Sequence, residues 1–266
     1  MAYVLNPPPS RGWCLFIGFA GDHSAGYSTI REEKKMIDSV YDFLNSLGYP
    51  HPIHPTEVHM PIGLVVGGLI FSVIAALFRR ERLAMTPRHC ILLAFIWVFP
   101  TMLFGYMDWQ EFYGGTWLQP IKVKLTVAPL LTLLLFFAIL LGRRYGATSL
   151  KVIPVYFLCL CCVVVLGYYG GQLVYGGRAA PASVEFKAGE KVFRAKCSAC
   201  HPGGGNALVP GKPILHSHKL QDLKTFDQWV RHPKAPMPAF PARRIPDTKM
   251  KDLYEYITKV LNTQAG

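Results

Sequence analysis

Charge is scarce in this sequence, and acid is scarcer still. Asp and Glu total 16 against 28 Lys and Arg, and the four types together make up 17% of the 266 residues. With 51% hydrophobic residues, that composition excludes an ordinary soluble chain, and the length excludes a large transporter. A net charge of +12 would suit a nucleic-acid binder, but the cations fall in short clusters between apolar runs, as membrane flanks do. No nucleic-acid partner is expected. A disulfide framework is missing as well. Cys159, Cys161 and Cys162 share one apolar run, Cys90 opens another and Cys14 stands alone near the N-terminus. In such runs cysteine serves as a small hydrophobe. Only Cys197 and Cys200 have a spacing with chemistry in it. The opening residues show no basic n-region, and their apolar stretch is short and interrupted. The first sixty residues are therefore expected to form an exported tail, carried across with the first membrane helix.

What is abundant is long apolar sequence. Four stretches, about Pro61 to Phe78, Cys90 to Tyr106, Val123 to Leu141 and Val152 to Val174, approach or reach the roughly 20 residues that a bilayer-crossing helix needs. Arg79, Arg80, Arg82 and Arg88 crowd the first connection, and Arg143, Arg144 and Lys151 the third. The second carries Asp108, Glu111 and Lys122 among Trp109, Tyr113 and Trp117. The excess of cations puts the first and third loops in the cytoplasm and both termini outside. Before the first span, "STIREEKKMIDSVYDFLNSLGY" reads as an amphipathic helix, with Ser28 as a possible cap and Gly48 as its end. The domains expected are thus an extracytoplasmic segment at 1–60, a four-helix membrane domain at 61–177 and a soluble domain at 178–266.

That soluble domain opens with a linker, "GGRAAPAS", and continues with three helical patterns. The first packs through Phe186, Gly189, Val192 and Phe193, and the second through Leu220, Leu223, Phe226, Trp229 and Val230. The third packs through Met250, Leu253, Tyr254, Ile257 and Val260, with Asp247 as its cap. Eighty-odd residues make a core small enough to want a staple. The stretch "RAKCSACHPGGGN" offers one. Cys197-Ser-Ala-Cys200-His201 has the spacing for c-type haem attachment, in which two thiols add to the porphyrin's vinyl groups and the adjacent histidine sits under the ring. A zinc site would want a second ligand pair downstream, and a thioredoxin-like site a βαβ pattern; both are missing. In "HPKAPMPAFPARRIPD", Met237 lies between Pro236 and Pro238, which stiffen a loop that would hold a thioether against the iron. His232, His216 or His218 in that place, or an open site, are the alternatives.

These residues carry a resemblance. Residues 184 to 262 resemble a class I mono-haem cytochrome c: "AGEKVFRAKCSACH" leads into the haem motif, "PGGGNALVPGKPIL" looks like the loop over the haem edge in the c6 or c553 kind, and a terminal helix follows "MPAFP". The resemblance implies that the first and last helices cross, with Gly189 and Phe193 against Tyr254 and Ile257. "HPIHPTEVHMPIGLVVGGLIF" and "MLFGYMDW" resemble the four-helix family DUF2231, through His59, Pro61, Ile62, Gly63, Gly105, Asp108 and Trp109. Where that family would carry a histidine and an asparagine near the start of the third helix, this sequence has Lys124 and Pro129. No established activity comes with this second resemblance. The expected fold is all-α, a four-transmembrane-helix bundle followed by a small class I cytochrome c domain.

Helices three and four contain no histidine, and His89 lies most of a bilayer away from the cluster His51, His54 and His59, which argues against a transmembrane pair of b-type haems. A second site at the outer end, using His54, His59 and Asp108, stays open for a haem b or a quinone; the plain alternative is a hydrogen bond between His59 and Asp108. The function expected is single-electron transfer through one covalent haem c on the outer, periplasmic face of the inner membrane. Cys197 and Cys200 hold the haem, and His201 and Met237 ligate its iron. Lys187, Lys191, Lys196, Arg243 and Arg244 would offer an acidic redox partner a basic face. Donor and acceptor redox proteins and other subunits of a respiratory or photosynthetic complex are the expected partners. The rivals are a quinol-oxidising enzyme of the quinol:cytochrome c oxidoreductase type that feeds its own haem, and a structural subunit whose haem staples the small domain.

Overall fold

The computed structural model describes residues 23–49, 51–79, 81–175, 179–209 and 211–263; Cys14 and the first linker residues lie outside them. Residues 1–50 form one compact unit and 51–266 another. In the first, α1 (His23–Ser46) is a single helix. It begins ahead of Ser28, so that residue lies inside the helix and does not start it. Gly48, at φ 82°, closes the helix in the left-handed conformation that favours glycine.

In the second unit α2 (His54–Glu57) runs into α3 (His59–Leu77), followed by α4 (Met85–Tyr113), α5 (Gln119–Tyr145) and α6 (Ile153–Tyr175). Four spans, His54–Leu77, Met85–Tyr113, Gln119–Tyr145 and Ile153–Val174, are long and apolar enough to cross a membrane. They pack through Val65, Ile91, Leu135, Ala138, Tyr156 and Cys159, all fully buried. Ile70, Phe137, Leu158 and Val164 stay exposed on the outside, as lipid-facing side chains do. Gly68 brings α3 close to α4: a Cβ there would stand 3.1 Å from the Ile91 side chain. At the arginine-rich end Ser72 donates to the Ala147 carbonyl at 2.8 Å and ties α3 to the third loop. The second span runs further than its apolar residues alone imply. It continues to Tyr113 because Asp108 and Glu111 are both buried with partners, and at 29 residues it is about 43 Å long, more than a bilayer core.

The C-terminal part folds as α7 (Lys187–Lys196), α8 (Leu223–Arg231) and α9 (Asp247–Tyr256), the last extended by a wider turn over Ile257–Leu261. Helices α7 and α9 cross where Gly189 lies on the Asp252 carbonyl and on Tyr256, and the rings of Phe193 and Tyr256 stand 5.6 Å apart. The register therefore differs from the one expected. Tyr254, two residues and about 200° from Tyr256, turns to Phe226 and donates to the Leu220 carbonyl. Asp247 makes no cap either, since Pro246 holds the N-cap position and the Asp247 carboxylate takes Arg231 at 2.6 Å. The one side-chain cap on these three helices is Asp222, which accepts from Thr225 N–H at the start of α8.

Candidate haem site and its seat on the bundle

Helix α7 ends at Lys196 and delivers Cys197, Ser198, Cys200 and His201 into a tight turn, with Cys200 and His201 N–H groups both bonded to the Cys197 carbonyl. His201 donates from Nδ1 to the Gly205 carbonyl at 2.9 Å. That bond fixes the ring and leaves Nε2 for a metal. Burial holds His201 below the usual imidazole range, which keeps the nitrogen unprotonated. Burial also pushes the Cys197 thiol up to about 12 and the Cys200 thiol to about 11. Both disfavour the thiolate that a zinc site or a redox pair requires. Among the described residues no three His, Cys, Asp or Glu side chains converge as a metal site would need.

Cys197 and Met237 both pack on one apolar cluster, with Phe193, Ile214, Leu215, Phe240 and Leu261. Asn206 shapes the intervening loop, donating to the Lys212 carbonyl and accepting from Leu208 and Val209 N–H. The Met237 loop is pinned by Arg231. Its guanidinium donates to the Phe240 carbonyl at 2.8 Å and the Ile245 carbonyl at 2.7 Å, while Asp227 and Asp247 balance its charge. Sequence reasoning passed over Arg231, although an arginine closing an amphipathic helix just before a proline-rich loop was a usable signal. The residues fit a covalent haem: two neutral thiols and one oriented imidazole share a single turn, and the Met237 thioether packs on the same apolar cluster as Cys197.

The site abuts the membrane bundle. Glu111, near the end of α4 and 4% exposed, takes Arg243 at 3.2 Å and Arg244 at 3.0 Å. Lys196 stands 4.2 Å over the Phe112 ring, and burial lowers its ammonium to about 8 against the pull of Glu111. Gly114 ends α4 at φ 56°, and a Cβ there would overlap Pro238, next to Met237. Tyr113 lies within electrostatic reach of both Cys200 and Asp108. Three of the five cations expected to face an outside partner thus face the chain's own bundle.

The possible second site is partly assembled. Asp108 accepts from the backbone N–H of Ile53 at 3.1 Å and of His54 at 2.9 Å. The His54 ring donates from Nδ1 to the Thr101 carbonyl at 2.9 Å, and its Nε2 lies 3.0 Å from the Lys124 ammonium. Gly105 leaves room for that ring, since a Cβ would meet it at 3.0 Å. His59 is exposed, with Nδ1 3.3 Å from the Thr56 carbonyl, so the residue that meets Asp108 is His54 and the added partner is Lys124.

Residues 184–257 match the family described as Cytochrome C oxidase, cbb3-type, subunit III. Cytochrome c6 of Petalonia fascia is 35% identical over 78 residues, which cover 28% of this chain and 91% of that protein. The chain belongs to the cytochrome c family. Cytochrome c6 of Pyropia tenera is 37% identical over 73 residues, 26% of this chain and 85% of the relative. That of Gracilaria tenuistipitata var. liui is 33% identical over 79 residues, 28% of this chain and 72% of the relative. Residues 50–181 of this cytochrome match the family described as Predicted membrane protein (DUF2231). No solved structure matches it. The protein is a membrane-anchored c-type cytochrome with covalently bound haem c, and its work is electron transfer.

Proposed function

We propose that this cytochrome passes single electrons through one haem c held at the end of its own four-helix bundle, on the periplasmic side of the inner membrane, within a larger electron-transfer complex. The observation that carries the reading is the clamp of Glu111 on Arg243 and Arg244, which seats the Met237 loop at the bundle end remote from the arginine-rich loops. Haem c, when bound, supplies an iron that changes oxidation state by one electron. Cys197 and Cys200 hold it by thioethers, His201 presents Nε2, and Met237 presents sulfur from a loop braced by Arg231. Thioether ligation favours a higher potential than two histidines would. The test is a pyridine haemochrome spectrum of the detergent-purified protein with haem counted per chain. One c-type haem and no extractable b-type haem are expected. Absence of covalent haem overturns the reading.

A second reading rests on His54, Asp108 and Lys124, gathered on α2, α4 and α5 below the docked domain. In it a quinol gives protons to this cluster and its two electrons one at a time to the haem, which hands each to an acceptor redox protein before taking the next, and the chain is a quinol-oxidising enzyme. Quinol-dependent reduction of the haem by the purified chain, lost in Lys124→Met, would favour it over the carrier.

A further inference from the structure

At the bundle end opposite the haem domain, α4 and α5 enclose a cleft lined by Arg88, Ile91, Leu92, Ile139, Arg143 and Tyr156. Arg88 and Arg143 stand exposed on its rim, and among the described residues neither has a carboxylate partner. Tyr156 closes the floor. It is 1% exposed, its hydroxyl lies against Gly142, and that hydroxyl has no hydrogen-bond partner among the described residues. A phenolic O–H at the floor of a cleft, with no acceptor in the protein, is available to donate to whatever enters. The surrounding charge selects what that is: among the described residues, Arg79, Arg82, Arg144 and Lys151 share this end of the bundle. Below the rim, Leu92 and Ile96, one turn apart on α4, are exposed along the lipid-facing surface and continue the cleft as an apolar track.

We propose that this cleft binds one anionic phospholipid, its phosphate between Arg88 and Arg143, a phosphate oxygen accepting from the Tyr156 hydroxyl, and an acyl chain along Leu92 and Ile96. Two guanidiniums and a hydroxyl donor at the cleft floor suit a phosphodiester, and basic pockets between membrane helices recognise such headgroups. A zwitterionic lipid would bring its own cation onto the two arginines and gain less.

The test uses the haem-loaded full chain, in mild detergent, by native mass spectrometry with phosphatidylglycerol and phosphatidylcholine in equal amounts. One bound phosphatidylglycerol is expected. Arg88→Gln with Arg143→Gln should weaken it about 30-fold, the loss of two cations near an anionic surface, while haem absorbance and helix content stay as in the wild type. Tyr156→Phe keeps the ring packing and should weaken it several-fold, which tests the site even where the double variant folds poorly. Equal retention of the two lipids by the wild type, or undiminished preference in Tyr156→Phe and the double variant, overturns the proposal. So does displacement of the lipid by millimolar inorganic phosphate, which would make free phosphate the ligand.

Discussion

At the residue scale the informative side chains are charges in dry places. Glu190 sits at 3% exposure on the packing side of α7, where a glutamate reads from sequence as a solvent-facing charge. It accepts from Lys187, Arg194 and the Ala182 N–H, and the Lys187 bond above all holds its carboxyl below the usual carboxylate range. A carboxyl with a lowered folded pKa stabilises the folded state at pH values above its unfolded value of 4.5. As pH falls below that value toward the folded one, the unfolded chain takes the proton first and the contribution drains away. Denaturant unfolding of the haem domain, followed at the haem band between about pH 6 and 3, should therefore show a falling stability that Glu190→Gln flattens. At neutral pH the same variant should cost about 1–2 kcal/mol. The CSACH motif was open to a reader of the sequence because attachment chemistry is local in the chain, whereas Met237 rests on the prolines that flank it. Glu190 was not: Lys187 and Arg194 lie one turn away on its own helix, but the linker that brings the Ala182 N–H onto its carboxylate has no local signature.

At the element scale, long apolar runs announced the four spans and apolar periodicity the three helices of the haem domain, yet both misjudged ends and registers. α4 was expected to stop near Tyr106, since Asp108 and Glu111 look like a loop. It continues because the first accepts from the start of α2 and the second from two arginines more than a hundred residues away. Such partners have no local signature. The loop over residues 232–246 teaches the same lesson from the other direction. Its prolines say that it is stiff, but Arg231 says where it is fastened. Arg231→Lys keeps the charge and loses the planar guanidinium whose three nitrogens reach Asp227, the two carbonyls and Asp247 at once. The expected result is a loss of about 2 kcal/mol in the haem domain's unfolding free energy, with a weaker thioether–iron absorption band where Met237 ligates. An unchanged band and midpoint would leave the loop's geometry to its prolines alone.

At the scale of the whole molecule, two family resemblances in one chain announced a bundle and a haem domain, but not that the second would be seated on the first. The cations on that seat read equally well as a face for another protein. What distinguishes the two is Glu111, an acid near the end of a membrane helix that the apolar pattern assigned to a loop. Glu111→Gln leaves Arg244 buried without its counter-charge and should cost the seat about 3 kcal/mol. Amide hydrogen exchange should then rise in residues 110–118 and 236–244 while the bundle core stays protected. Unchanged exchange in both segments would mean that Pro238 against Gly114 and Lys196 over Phe112 hold the domain unaided.

The seat also has a kinetic meaning. A carrier that drifts between partners works by collision, so its turnover falls on dilution and its encounters slow as salt screens them. Here the haem domain is joined to the bundle by fewer than ten residues between Tyr175 and Val184. At so short a tether its local concentration at the seat is in the millimolar range whatever the abundance of the chain. In the quinol reading, an electron crossing this contact moves in a first-order step, indifferent to dilution.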